Sequence, residues 1–220
     1  MLKYPLKSHR KSIAIPEDSE KLAELFGIIF GDGGINNDWQ LVISLNSEKD
    51  QEYSVYISNL INELFNIKVV ARKRPRQDTL VLVCSSMNLL DFLISKGAIK
   101  GNKIAQNIDI PQWISSNEKY EKTFVRGLMD TDGGLYTHNH FVNGKPYHNL
   151  GLCFTSYSQK LLSSISSILI KNNVKPYIKN NGTRIYLYSY KAIEKYLEMF
   201  GSNNLRIKRQ YSSWRDAGVV

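Results

Sequence analysis

Leu25-Phe26-Gly27-Ile28-Ile29-Phe30-Gly31-Asp32-Gly33-Gly34-Ile35 and Val125-Arg126-Gly127-Leu128-Met129-Asp130-Thr131-Asp132-Gly133-Gly134-Leu135 are two copies of one pattern. Each has a glycine, two large apolar residues, and a small residue directly before Asp-Gly-Gly. The aspartates stand 100 residues apart in a chain of 220. One Asp-Gly-Gly reads as an ordinary turn, with Asp accepting local hydrogen bonds and Gly supplying positive φ. Two copies in matched contexts ask for a common cause.

The flanking pattern repeats as well. From Pro16-Glu17-Asp18-Ser19, the apolar spacing of Leu22, Leu25, Phe26, Ile28 and Ile29 predicts a helix that ends at the first Asp-Gly-Gly. A short strand or turn at 35–38 and a strand at 39–45 follow, then a helix over 50–65. Strands at 68–74 and 79–85 are joined by Pro75-Arg76-Gln77-Asp78, and a helix over 88–96 stops at Gly97. The order then recurs. Ser115 and Glu118 form a capping-box signature for a helix over 117–130. Strands are expected at 135–138 and 150–155 around a long polar loop, followed by a helix over 158–171. A hairpin across Asn181-Gly182 and a helix over 192–200 complete the second set. This is an internal duplication of an αββαββα unit. The reading divides the chain into an arm at 1–17, a first half at 18–100, a linker at 101–116 and a second half at 117–220. The fold class is α+β, two pseudo-symmetric halves joined through the repeated helices.

Gly27 and Gly31 stand four apart on one helical face, as do Gly127 and Thr131. Small residues there let two backbones approach closely. Pairing the two strips brings Asp32 and Asp132 to one end of the helix pair. That end is unfavourable for carboxylates, which belong at helix N-termini, and two neighbouring carboxylates repel. A divalent cation reverses both costs, and oxygen ligands suit Mg²⁺.

Composition agrees with a globular protein: 42% hydrophobic and 22% charged residues leave little room for wholesale disorder. The net charge of +9 is lopsided. Residues 1–100 carry 13 Lys+Arg against 12 Asp+Glu, and residues 101–220 carry 16 against 8. A basic excess suits a polyanion, and on charge alone an inert basic surface fits equally well. The arm, with Lys3, Lys7, Arg10 and Lys11, reads as a flexible arm on a polyanion or a solvated terminus. Cys84 and Cys153 are isolated among strand-like residues and read as reduced core cysteines. With no signal-like or membrane-length apolar run, a soluble intracellular protein is expected.

Alternation in the predicted strands sorts their faces. Lys68, Arg72 and Arg74 point one way, and Val69 and Ala71 the other. Ile185 and Leu187 face the core, with Arg184, Tyr186 and Tyr188 outward. Tyr177 and Lys179 share that outward character, and Arg76 sits in the first hairpin loop. A basic, aromatic sheet face suits the DNA major groove, and a solvated sheet face is the alternative, with the nearby aspartate pair favouring nucleic acid. His138, His140 and His148 complete no metal-ligand spacing and read as part of a flexible polar loop with Lys145 and Tyr147.

On the two motifs, the duplication and the element order, the chain resembles the LAGLIDADG homing endonucleases of the single-chain, two-motif type. The resemblance spans residues 18–210. Gly127-Leu128-Met129-Asp130-Thr131-Asp132-Gly133 is close to the family pattern, whereas Phe30 stands where an Asp is usual. It implies a monomer with a saddle of antiparallel sheets. Such a protein cuts double-stranded DNA at a long site, leaving staggered ends. Mg²⁺ is the implied cofactor, with Mn²⁺ substituting and Ca²⁺ binding without cleavage. Asp32 and Asp132 match the metal ligands, with the carbonyls of Gly31 and Thr131. Ser47 and Ser156 match positions that order water. Lys103 is the basic candidate of the first half, and Lys208, rivalled by Arg206 and Arg209, that of the second. Asp130, opposite Phe30, is expected to be structural. The alternative on the same fold is an RNA-splicing maturase acting on intron RNA, or a DNA-binding regulator. An intein is disfavoured by the residues at the chain ends, and no HNH or GIY-YIG motif occurs.

Overall fold

The computed structural model describes residues 9–179 and 182–216. The elements run α1 (Glu20–Phe30), β1 (Gly33–Ile35), β2 (Gln40–Asn46), α2 (Gln51–Phe65), β3 (Val70–Lys73), β4 (Thr79–Ser85) and α3 (Met87–Ser95). After the short α4 (Gln112–Ser115) come α5 (Glu118–Asp132), β5 (Gly133–Val142), β6 (Lys145–Thr155), α6 (Gln159–Lys171), β7 (Tyr177–Lys179), β8 (Arg184–Leu187), α7 (Tyr190–Met199) and α8 (Leu205–Asp216). The first sheet has the order β1-β2-β4-β3 and the second β5-β6-β8-β7, with every pair antiparallel. The same order in both halves realises the αββαββα duplication.

Serine hydroxyls cap four helix starts. Ser19, Ser86, Ser158 and Ser189 each accept an N–H from the first turn of α1, α3, α6 and α7. The start of α5 differs from expectation. Asn117, rather than Ser115, is the N-cap and accepts from Lys119 N at 3.0 Å. Ser115 instead closes α4, a short helix inside the expected linker, where Ile114 is buried along with Ile108 and Ile110. The linker is therefore part of the core.

Three other expectations change. The long polar loop of the second half is a hairpin: β5 and β6 pair continuously from Gly133↔Phe154 to Val142↔Lys145. Its turn is Asn143-Gly144, both at positive φ, the geometry of a two-residue hairpin. His138, His140 and His148 therefore lie on paired strands, not in a loop. A further helix, α8, follows α7, with Ile207 and Trp214 buried. Residues 9–14 are tied down: Met87 N donates to His9 O at 2.8 Å, Asn88 Nδ2 to Lys11 O at 2.8 Å and Ala14 N to Phe65 O at 2.9 Å. Lys3, Lys7 and Asn181 lie outside the described residues.

The two halves meet along α1 and α5. A Cβ on Gly27 would run into the Phe124 carbonyl, and one on Gly127 into that of Glu24. A Cβ on Gly31 would strike the Thr131 side chain. Phe30 fills the gap beside the strip, edge-on to Phe124 at 5.4 Å.

Candidate metal and nucleic-acid site

Asp32 follows the C-cap of α1, and Asp132 closes α5. The Gly31 position brings them together: a Cβ there would lie 3.5 Å from Asp132 Cγ. Both carboxylates are perturbed. Burial, then Asp132, then Asp50 push Asp32 up to about 7, against the pull of Lys103 and Arg206. Burial raises Asp132 to about 6, again opposed by Lys103. Helix C-termini add their own repulsion for negative charge.

Lys103 answers that charge. Its ammonium donates to the carbonyl oxygens of Ile29 (3.0 Å), Phe30 (2.8 Å), Gly31 (2.6 Å) and Gly33 (2.7 Å). The first three are carbonyls that the end of α1 leaves over and the fourth belongs to β1, all four shared among three N–H donors. Burial lowers the Lys103 pKa, while Asp132 and Asp32 hold it up. Lys103, Asp132, Gly31 and Ser156 together line a cleft of about 230 Å³.

The other candidates separate. The Ser156 hydroxyl accepts from Ser158 N at 3.2 Å. Ser47 is buried, and its hydroxyl has no hydrogen-bond partner among the described residues. The Thr131 hydroxyl turns back onto its own helix, donating to the Gly127 and Leu128 carbonyls at 3.0 Å. Lys208 is exposed on α8, whereas Arg206 is the second-half cation whose charge reaches Asp32. Asp50 holds Arg206 by its Nε at 3.0 Å. Arg209 forms a two-pronged ion pair with Glu52.

Asp130 is buried and serves the chain that follows α7. Its carboxylate accepts from Ser202 Oγ (2.5 Å), Asn203 N (2.6 Å) and Asn204 N (3.2 Å). Burial pushes it up to about 7, and these hydrogen bonds pull the other way. A polar network joins it across the halves: Asn204 Nδ2 reaches Asp50, and Asn203 Nδ2 reaches Glu24. Glu24 also pairs with Arg126. Beyond the structural role expected of Asp130, this network was not legible in the sequence, because its members come from α1, the N-cap of α2, α5 and the α7–α8 connection.

The outer face of the second sheet is built mainly of tyrosines. Tyr186 stacks on Tyr188 at 5.2 Å and 7°, Tyr177 tilts onto Tyr188 at 5.5 Å, and Lys179 Nζ lies 5.1 Å from the Tyr188 ring. Arg184 donates to the Tyr186 hydroxyl at 3.4 Å. Tyr136 joins the cluster against Tyr186. It was missed in the sequence, although its alternation with buried Leu135 points outward. A Cβ on Gly151 would enter the Tyr136 ring, so the glycine makes room for it. In the first half Lys68, Arg72, Arg74 and Arg76 are all exposed. Ala71 is exposed too, since β3 is an edge strand reaching beyond the core, and only Val69 packs inward.

Two carboxylates and the carbonyls beside them are an oxygen donor set of the kind hard cations take. Among the described residues no group of three or more His, Cys, Asp or Glu side chains assembles. A cation here fits a two-carboxylate site completed by backbone and water oxygens. Lys103, a cation seated on those carbonyls, marks the place as one of concentrated negative potential.

Solved structures share this architecture. The chain is similar to I-DmoI in complex with DNA and Mn, at 20% identity and a TM-score of 0.54, covering 84% of this chain and 97% of that one. It is similar to the I-LtrWI LAGLIDADG homing endonuclease bound to target DNA, at 11% identity and a TM-score of 0.58, covering 87% and 88%. Full-length DUF199/WhiA from Thermatoga maritima matches at 18% identity and a TM-score of 0.56, over 91% of this chain and 63% of that one. No family model and no curated protein matches. The fold is therefore that of the LAGLIDADG homing endonucleases, as the two motifs implied. No helix among the described residues is long and apolar enough to cross a membrane.

Proposed function

We propose that the protein is a site-specific endonuclease that hydrolyses both strands of a long double-stranded DNA target. Its divalent cations are held by Asp32 and Asp132, with the Gly31 and Thr131 carbonyls as further ligands. The observation that carries this reading is the convergence of two half-buried carboxylates at the C-terminal ends of two paired helices. That arrangement is unfavourable for a resting protein and favourable around a cation.

A bound Mg²⁺ or Mn²⁺ would acidify water and stabilise the leaving oxygen of a phosphodiester. The chain's own residues do the rest. Gly27 and Gly127 bring the helices into contact and so set the spacing of the carboxylates. Lys103 places positive charge where a phosphate would approach, and Ser156 offers a hydroxyl in the same cleft. The two outer sheet faces, with Arg72, Arg74 and Arg76 in one half and Tyr177, Lys179, Arg184, Tyr186 and Tyr188 in the other, grip the duplex on either side. The resemblance adds a single-chain, monomeric enzyme acting on DNA inside the cell.

Asp32→Asn or Asp132→Asn should abolish double-strand cleavage in Mg²⁺ while duplex binding in Ca²⁺ survives. Full cleavage by the double variant sinks the reading. Because the fold is shared with WhiA as well as with endonucleases, the second reading is a regulator or RNA-splicing maturase that binds without cutting. Duplex or intron-RNA binding, with no Mg²⁺- or Mn²⁺-dependent cleavage of any selected site, would favour it.

A further inference from the structure

The outer faces of the two sheets differ in chemistry. On the first sheet the registers Gly34↔Val42, Val42↔Val83 and Val70↔Val83 place three valines in one row across β2, β4 and β3. The next row is Ser44, Val81 and Arg72, from the pairs Ser44↔Val81 and Arg72↔Val81. Directly paired residues share a face. The core lies on the other face, which carries Leu41, Ile43 and Leu82. Val42, Val70 and Val83 stand outside the buried core, Val70 being 41% exposed and the other two part-buried, whereas Val81 in the next row is itself buried. The valines form an apolar strip that Gly34 leaves open at its β1 end, where a Cβ would meet only Asn36 at 3.8 Å.

The strip is bordered by Arg72, Arg74 and Arg76, exposed cations on β3 and its turn. Positive charge around an apolar centre matches a DNA groove, where phosphates flank base edges. A protein interface also has an apolar centre and a polar rim, so the choice of DNA is carried by the endonuclease reading above. In the major groove the one apolar group on a base edge is the C5-methyl of thymine. We infer that the Val42–Val83–Val70 row reads thymine methyl groups, so that the half-site under the first half of the protein contains a short A·T run. Neighbouring strands are about 4.8 Å apart, so three strands span about 10 Å, or about three base pairs at 3.4 Å each. The second sheet offers tyrosine hydroxyls, Arg184 and Lys179 instead, and its half-site is read through hydrogen bonds. The inference rests on the DNA reading above.

The test begins by selecting duplexes bound by the full chain in Ca²⁺ from a randomised library. Each thymine of the selected site is then replaced by deoxyuridine, which lacks only the methyl. Burying one such group is equivalent to about three- to fivefold in affinity. Deoxyuridine in the A·T run should weaken binding by that factor per base, and substitutions in the other half-site should have little effect. The double variant Val70→Ser/Val83→Ser should lose this sensitivity. Should that variant fold poorly, the deoxyuridine series on the unaltered protein still decides. Selective binding with no thymine run, or with no response to deoxyuridine in either half, overturns the inference and leaves the endonuclease reading standing. No sequence-selective duplex binding at all overturns both.

Discussion

The Lys103 ammonium donates to the Gly31 carbonyl oxygen at 2.6 Å, so a cation of the protein's own sits on an atom proposed to hold a metal ion. The end of α1 gathers three carbonyls and a carboxylate, and Lys103 is what keeps that concentration tolerable in the cation-free chain. Lys103→Met should lower metal-free stability by about 1–3 kcal/mol, the cost of leaving buried acceptors unsatisfied. The rise in Tm on adding Ca²⁺ should be larger in this variant than in the wild type, because the added ion then supplies the missing charge. Parallel thermal melts with EDTA and with Ca²⁺ measure both effects.

Asp32 supplies a pH signature. Its folded pKa of about 7 lies above the ordinary 3.8, chiefly through burial. A carboxyl raised on folding contributes stability below about pH 4 and loses it as pH climbs through 7. Metal-free wild type should therefore weaken from pH 4 to 7, and Asp32→Asn should weaken less, because only Asp130 and Asp132 still titrate raised in that range. At pH 8 in EDTA the variant should be the more stable by roughly 1–3 kcal/mol, discounted for the partial exposure of the site. Urea unfolding at pH 4, 6 and 8 gives the comparison. A stability gap that does not widen with pH contradicts it.

Gly27 and Gly127 tolerate no side chain. Gly27→Ala pushes a methyl into the Phe124 backbone, and Gly127→Ala into that of Glu24. Backbone cannot swing aside as a side chain can, so each substitution should cost about 1–3 kcal/mol or more. Cleavage should fall further than stability, because the carboxylates move apart. Gly134→Ala is the control: a Cβ there meets nothing within 4 Å, and its melt should match the wild type.

Asp130 separates structure from chemistry. Asp130→Ala removes the acceptor for Ser202 Oγ and the Asn203 and Asn204 amides, and should cost about 1–3 kcal/mol for the orphaned donors. Asp130→Asn keeps one oxygen for the two amides and turns its NH₂ toward the Ser202 hydroxyl, which can also accept. It should be close to neutral at pH 8. Folded molecules of the Asn variant should cut at the wild-type rate, unlike those of Asp132→Asn, two residues away.

The repeated motif, the order of elements in each half and the residues of the helix contact were all legible in the sequence. They follow from local rules: apolar spacing, small residues four apart, and Asp-Gly-Gly as a helix stop. Even so, the Asn143-Gly144 turn went unread, because polar strands on an exposed hairpin carry little apolar alternation. Helix α8 was unread as well. Only Ile207, Tyr211 and Trp214 mark its inner face, in a segment rich in charge. By itself, then, the sequence determined that Asp32 and Asp132 are equivalent and that their two helices pair. The family resemblance had already pointed to Lys103 and, as a rival to Lys208, to Arg206; the tertiary structure decided which candidates reach the aspartates and added Asp50. Lys103 comes from the linker, Arg206 from α8 and Asp50 from the start of α2. Side chains brought together from such distant positions leave no periodic trace, because their contacts are fixed by the packing of whole elements.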